Sequence, residues 1–215
     1  MINKIMLINS CIIIDNFYED PYSVRATAMS MDYYEPKYSE KFKDGTGPWP
    51  GRVSKGAYAL KNMDVVVSKL LGFPVRSTSQ EYGGTGYFRL SQKDDTPTYY
   101  SHVDSIPNGN LRVYSGIVYL NPPEDCYRED GSQRAGTRFF THKESGRNKV
   151  NNNKEYMSTE LDFNDPTKWT EDAVVGFRWN RLVLVENSIY HTYGDLFGDS
   201  KETARCTQLF AFYTI

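Results

Sequence analysis

The sequence predicts a mainly β chain of the α+β kind: a double-sheet jelly roll, with two N-terminal helices packed outside one sheet. Three observations carry this. Aromatic residues make up 14% of the 215, led by 17 Tyr and 11 Phe, and aromatic and β-branched side chains favour pleated, half-buried surfaces. Helical periodicity is confined to the first third, and strands and turns fill the rest. Strand and helix never alternate in the manner of a parallel sheet, so two antiparallel sheets with the helices outside fit the order best.

The elements follow in chain order. Ile12-Ile13-Ile14, ended by Asp15, reads as a first strand. Asp20 can cap a helix with Pro21 at its first position, where a missing N–H does no harm, and Val24, Ala28 and Met31 share one face. Tyr33 to Gly56 is rich in Pro, Gly, Tyr and Lys and reads as an irregular loop. A second helix starts near Asn62, carries Val65, Val66, Leu70 and Leu71, and stops at Gly72 and Pro74.

Strands are then expected at Tyr87–Leu90, Thr98–His102, Arg112–Leu120 and Gly136–His142. Asn121-Pro122-Pro123 ends the third of these, since proline cannot donate to a ladder. Glu144 to Asp172 is polar, with only weak strand signals, and reads as a surface insertion or lid. Strands return at Phe177–Val185, Ile189–Thr192 and Cys206–Tyr213. The length suits one substantial core, so residues 1–215 are read as a single domain.

Charge and cysteine usage narrow the function. A formal net charge of −2 with scattered basic residues gives no electrostatic reason to expect nucleic acid or an anionic membrane as partner. Three cysteines, Cys11, Cys126 and Cys206, with no C-x-x-C pair, argue against a disulfide framework or structural zinc. They read as reduced thiols of a cytoplasmic protein. The apolar stretch near the N-terminus is far shorter than the roughly 20 residues of a membrane helix.

Only three histidines exist: His102, His142 and His191. A mononuclear iron(II) site for oxygen chemistry needs two imidazoles and one carboxylate on one face of the metal, with the other positions open. His102-Val103-Asp104 supplies an imidazole and an acid two residues apart, which a strand points to the same side. His191, far downstream, can supply the second imidazole. His142-Lys143-Glu144 is a rival pair, but it runs into a polar segment and is read as an exposed turn, structural or substrate-facing.

Arg181 to His191, followed by Ala204-Arg205-Cys206-Thr207-Gln208-Leu209-Phe210-Ala211-Phe212, together with His102-Val103-Asp104, resembles the iron(II)/2-oxoglutarate-dependent dioxygenase superfamily, in its prolyl-hydroxylase-like branch. The resemblance implies a double-stranded β-helix core, with His102, Asp104 and His191 as metal ligands. It also implies Arg205 as anchor for the far carboxylate of 2-oxoglutarate, with Thr207 as a helper and Tyr99 near the co-substrate. A guanidinium fork matches a carboxylate bidentately, and a hydroxyl adds a further hydrogen bond. Arg89 and Arg138 are the alternatives for the basic residue, and Tyr87, Tyr100 and Tyr114 are further tyrosines near the site strands.

More narrowly, Asp15-Asn16-Phe17-Tyr18, Asp20-Pro21, Val24-Arg25, Pro50-Gly51-Arg52, Tyr119 to Pro123 and Gly136 to Phe140 are similar to a family of about this size within the superfamily, largely bacterial and viral. The implied activity is hydroxylation of a peptide residue or small molecule with iron(II), 2-oxoglutarate and O2. Two other readings compete: a non-catalytic metal-binding jelly roll, and a β-sandwich binding protein using Trp49, Trp169 and Trp179.

Overall fold

A computed structural model describes residues 5–8, 11–34, 51–58, 61–77, 85–95, 99–107 and 111–215, and the architecture below concerns these. Two antiparallel sheets dominate. The larger runs β1(Ile5–Ile8), β2(Cys11–Asp15), β10(Arg181–Glu186), β7(Val113–Tyr119), β12(Arg205–Thr214), β6(Tyr87–Ser91), β4(Arg52–Ala57), β3(Tyr33–Tyr34), with β5(Val75–Ser77) also paired to β12. The smaller runs β11(His191–Tyr193), β8(Ala135–His142), β9(Trp169–Gly176). This is a mainly β, jelly-roll-like arrangement with three short α-helices.

Helix α1(Pro21–Ser30) begins as its sequence dictates: Asp20 Oδ1 accepts from Ser23 N at 3.0 Å, and Pro21 occupies the first turn. Helix α2(Met63–Leu71) closes on Gly72, whose φ of 79° is the left-handed conformation that glycine adopts without penalty. The face it buries is Met63 and Val67, while Val65 and Val66 are exposed.

Apolar residues of the large sheet alternate between two clusters, as period-two side-chain direction requires. Ile14, Phe88, Val118, Leu182, Leu184, Phe210 and Phe212 pack with Val24 and Ala28 of α1 and Met63 and Val67 of α2. The other cluster joins Ile13, Tyr119, Val183 and Val185 to Phe139, Val175 and Phe177 from the small-sheet side. A third, with Phe140, Val150, Phe163, Trp169 and Tyr190, covers the opposite face of the small sheet. Each such buried side chain contributes roughly 1.5–3 kcal/mol.

Four expectations need correction. Tyr33 to Gly56 is not simply a loop: its described ends form β3 and β4 at the sheet edge, where charged and small residues suit an edge strand. Residues 35–50, with Trp49 and Pro50, lie outside the described residues. Tyr99 to His102 is not a strand; His102 makes a single antiparallel bridge to His191, and Thr98 lies outside the described residues. Glu144 to Asp172 is more ordered than an insertion: it holds α3(Asn153–Thr159) and the start of β9. β9 was illegible because it is an edge strand, with Thr170, Glu171 and Asp172 exposed. The strand expected from Phe177 begins at Arg181, after a turn in which Asn180 sits at φ 57°.

Candidate metal centre

His191 opens β11, which pairs with β8 at Phe139 on one side and with His102 on the other. The bridge is reciprocal: His102 N donates to His191 O at 3.0 Å, and His191 N to His102 O at 2.9 Å. Asp104 N then donates to Asn187 O at 2.9 Å. Backbone hydrogen bonds, rather than a continuous strand, therefore set the turn that carries Asp104.

His102 Nε2 lies 3.5 Å from Asp104 Oδ1, and His191 Nε2 lies 3.5 Å from Asp104 Oδ2. The two imidazole rings are 4.6 Å apart, centre to centre. These separations exceed the about 2.7–2.9 Å of a tight charged hydrogen bond. They are close to the spacing of neighbouring ligands around an ion bound at about 2.0–2.2 Å. His191 Nδ1 lies 2.8 Å from Ile189 O. A carbonyl only accepts, so Nδ1 carries the proton and Nε2 keeps its lone pair for the centre, as an outer-shell hydrogen bond does for a ligating histidine. Ser115 Oγ donates to Asp104 Oδ2 at 3.3 Å.

Both histidines are buried, and the Asp104 side chain is 20% exposed. Burial alone would raise the Asp104 carboxyl, but the charge that His191 carries when protonated and the closeness of both imidazoles hold it well below the usual carboxylate range. Burial lowers His102, whereas Asp104 outweighs burial and raises His191. Asp104 therefore stays ionised beside the two imidazoles. Two nitrogens and one carboxylate fit a divalent transition metal with positions left open.

Arg205 begins β12 and is buried. Its Nη2 donates to Gly136 O at 3.0 Å, and its guanidinium lies 5.5 Å from the Phe177 ring and 5.8 Å from that of Tyr119. Its Nε is buried without a hydrogen-bond partner among the described residues, as is the Tyr193 hydroxyl. Thr207, two positions on, pairs with Tyr119 and Arg89 on the neighbouring strands. Tyr119 Oη and Thr137 Oγ1, 2.7 Å apart, join the two sheets. Arg205, Thr207, Arg89 and Ser115 therefore share the face of the large sheet that looks towards the small one.

Two residues hold the strand entrance. Asn121 accepts from Cys206 N at 2.6 Å and donates to Ala204 O at 3.0 Å, clamping both neighbours of Arg205. Arg25 donates to Leu120 O at 2.8 Å and to Glu202 O at 2.6 Å. Sequence reasoning gave them no role, although both lie in segments that it singled out.

Other expected residues fall elsewhere. Tyr99 packs its ring 6.1 Å from His102 and edge-on to Phe163, on the metal side of the site. Tyr87 lies on the inner face with Leu209. Tyr114 is in the helix-side cluster, and Tyr100 is 40% exposed. Arg138 is drawn away into ion pairs with Glu171 at 2.6 Å and Asp195 at 3.3 Å. His142 is not in an exposed turn: it is buried, with Nε2 2.9 Å from Asp162 and Nδ1 3.0 Å from Ser145. With Glu144 and Asp162 it forms a second metal-like group, but both ring nitrogens are already engaged.

Fold and site together define a jelly-roll-like protein with a two-histidine, one-carboxylate centre between its sheets. Among solved structures the chain is similar to HygX from Streptomyces hygroscopicus with nickel, 2-oxoglutarate and hygromycin B bound, at 14% identity and a TM-score of 0.51, covering 95% of this chain and 82% of that one. The iron-bound form of HygX gives 15% identity and a TM-score of 0.46 over the same shares. At these identities the likeness is one of fold. No protein-family model matches the sequence, and neither does any curated protein.

Proposed function

We propose that this chain is an iron(II)- and 2-oxoglutarate-dependent dioxygenase of the prolyl-hydroxylase-like branch, hydroxylating a peptide residue or a small molecule. The observation that carries the reading is the meeting of His102, Asp104 and His191 around one point, with Asp104 oxygens 3.5 Å from each Nε2. HygX, of similar fold, binds iron in one structure and nickel with 2-oxoglutarate in another, which supports the same groups here. The reading takes the two sheets as halves of a double-stranded β-helix, with α1 and α2 outside the larger, and residues 1–215 as one catalytic domain acting in the cytoplasm.

His102, Asp104 and His191 would hold iron(II). When bound, the metal supplies the redox chemistry by which O2 oxidises 2-oxoglutarate to succinate and carbon dioxide and a substrate C–H bond is hydroxylated. The chain's own part is positioning. Arg205 takes the far carboxylate of 2-oxoglutarate, Thr207 adds a hydroxyl donor, and Tyr99 walls the histidine side.

Anaerobic titration of the iron(II)-loaded protein with 2-oxoglutarate tests this. A weak visible charge-transfer band that titrates, and that needs far more co-substrate in Arg205→Ala, is the expected result. A metal-loaded protein that gives no band sinks the reading and leaves a structural metal site.

A further inference from the structure

Arg89 is a second guanidinium on the inner face of the large sheet. On β6 it stands directly across the ladder from Thr207, while Arg205 stands across from Ser91. Directly opposed side chains start about 4.5–5.5 Å apart and diagonal ones about 7–8 Å. Arg89, Thr207 and Arg205 therefore form one polar triangle on one face. Both Arg205 and Asp104 act electrostatically on Arg89, so it lies within reach of each.

The electrostatics of this pair favour an anion. Burial and the charge of Arg205 push the Arg89 guanidinium down to about 10, while Asp104 acts the other way. Like charges repel more strongly in a shielded space than in water, and a carboxylate between them relieves both. The buried Nε of Arg205 and the hydroxyl of Tyr193 remain available as donors.

We propose that Arg89 is a second carboxylate-binding residue of this pocket, and that it clamps the far carboxylate of a dicarboxylic 2-oxo acid together with Arg205 and Thr207. The inference rests on reading the site as a 2-oxoglutarate pocket and adds a residue to it. A carboxylate has about four lone-pair positions, enough for two guanidinium forks from different sides. The pocket thereby discriminates against 2-oxo acids that lack the far carboxylate more strongly than one arginine allows.

The test compares 2-oxoglutarate with 2-oxobutanoate, which keeps the metal-binding end and lacks the far carboxylate. Dissociation constants come from anaerobic titration of the iron(II)-loaded protein, by the visible band and by calorimetry. Arg89→Met should weaken 2-oxoglutarate about ten- to hundred-fold and leave 2-oxobutanoate within about twofold. Arg89→Lys, which keeps the charge without the fork, should fall between and carries the test if the methionine variant does not fold. Equal weakening of both acids makes Arg89 a packing residue and overturns the proposal, as does no change in either. If the wild-type protein holds metal but binds neither acid, the reading of the whole site fails. If only the variants behave contrary to expectation, the second arginine alone fails.

Discussion

Arg205 Nη2 donates to the carbonyl oxygen of Gly136 at 3.0 Å, so the guanidinium is steered by a glycine that has its own reason to be glycine. A Cβ at position 136 would lie 2.6 Å from the Tyr119 ring and hydroxyl. That ring is buried and stacked 4.5 Å from Phe177, so it has nowhere to go.

Gly136→Ala should therefore cost about 1–3 kcal/mol of stability, the usual price of overpacking, and should weaken 2-oxoglutarate binding by shifting the carbonyl that holds Arg205. Gly56→Ala is the control: its Cβ meets nothing within 4 Å, and the change should stay within about 0.5 kcal/mol. Urea denaturation of both variants checks this, and equal midpoints would mean that Tyr119 yields freely.

Asp104→Ala should remove metal binding. Loss of an outer-shell partner costs about 10–100-fold in affinity, and Asp104 offers an oxygen to both histidines, so its loss should cost more than that. Metal content after purification and a direct titration with iron(II) or nickel(II) provide the measure. A variant that still carries one equivalent refutes the ligand assignment.

The three cysteines should be silent in the folded protein. Burial pushes the thiols of Cys11 and Cys206 up to about 12 and that of Cys126 up to about 11, from an ordinary 9.0. A thiol-specific disulfide reagent at pH 8 should find none of them until denaturant is added. Because these folded-state values are raised, their stabilising effect is complete below pH 9 and is lost as pH rises through about 11 to 12. Urea midpoints should accordingly fall between pH 8.5 and 10.5; rapid labelling of the native protein would contradict the burial.

Much of the site could be read from residue order because its chemistry is carried by rare residues. With three histidines, the pairing of His102-Val103-Asp104 with His191 was one of few possibilities, and the structure brings those three side chains together. Arg205 and Thr207 came from the family resemblance, and strand periodicity says only that they share a face. What could not be read was the backbone that delivers them. Asp104 is aimed by the hydrogen bonds between His102 and His191 and by its own N–H donating to Asn187 O, which link segments far apart in sequence and leave no periodic trace. β9 was missed because an edge strand with a solvated face lacks the apolar signal, and His142 was misplaced because its burial depends on Asp162 and Trp169. Asn121 and Arg25 act on backbone groups of distant segments, and a single sequence gives no hint of such partners.

The order of the large sheet has a consequence for synthesis. β12 lies between β7 and β6, so a strand near the end of these 215 residues fills a place in the middle of the sheet. A nascent chain that lacks it exposes two long, apolar, unpaired edges at once, a recognised hazard for aggregation. Joining strands so distant in sequence is slow, because loop closure comes before any reward. Assembly of the candidate metal centre must therefore be a late event, and chains interrupted before Arg205 should emerge as sticky fragments needing chaperone protection.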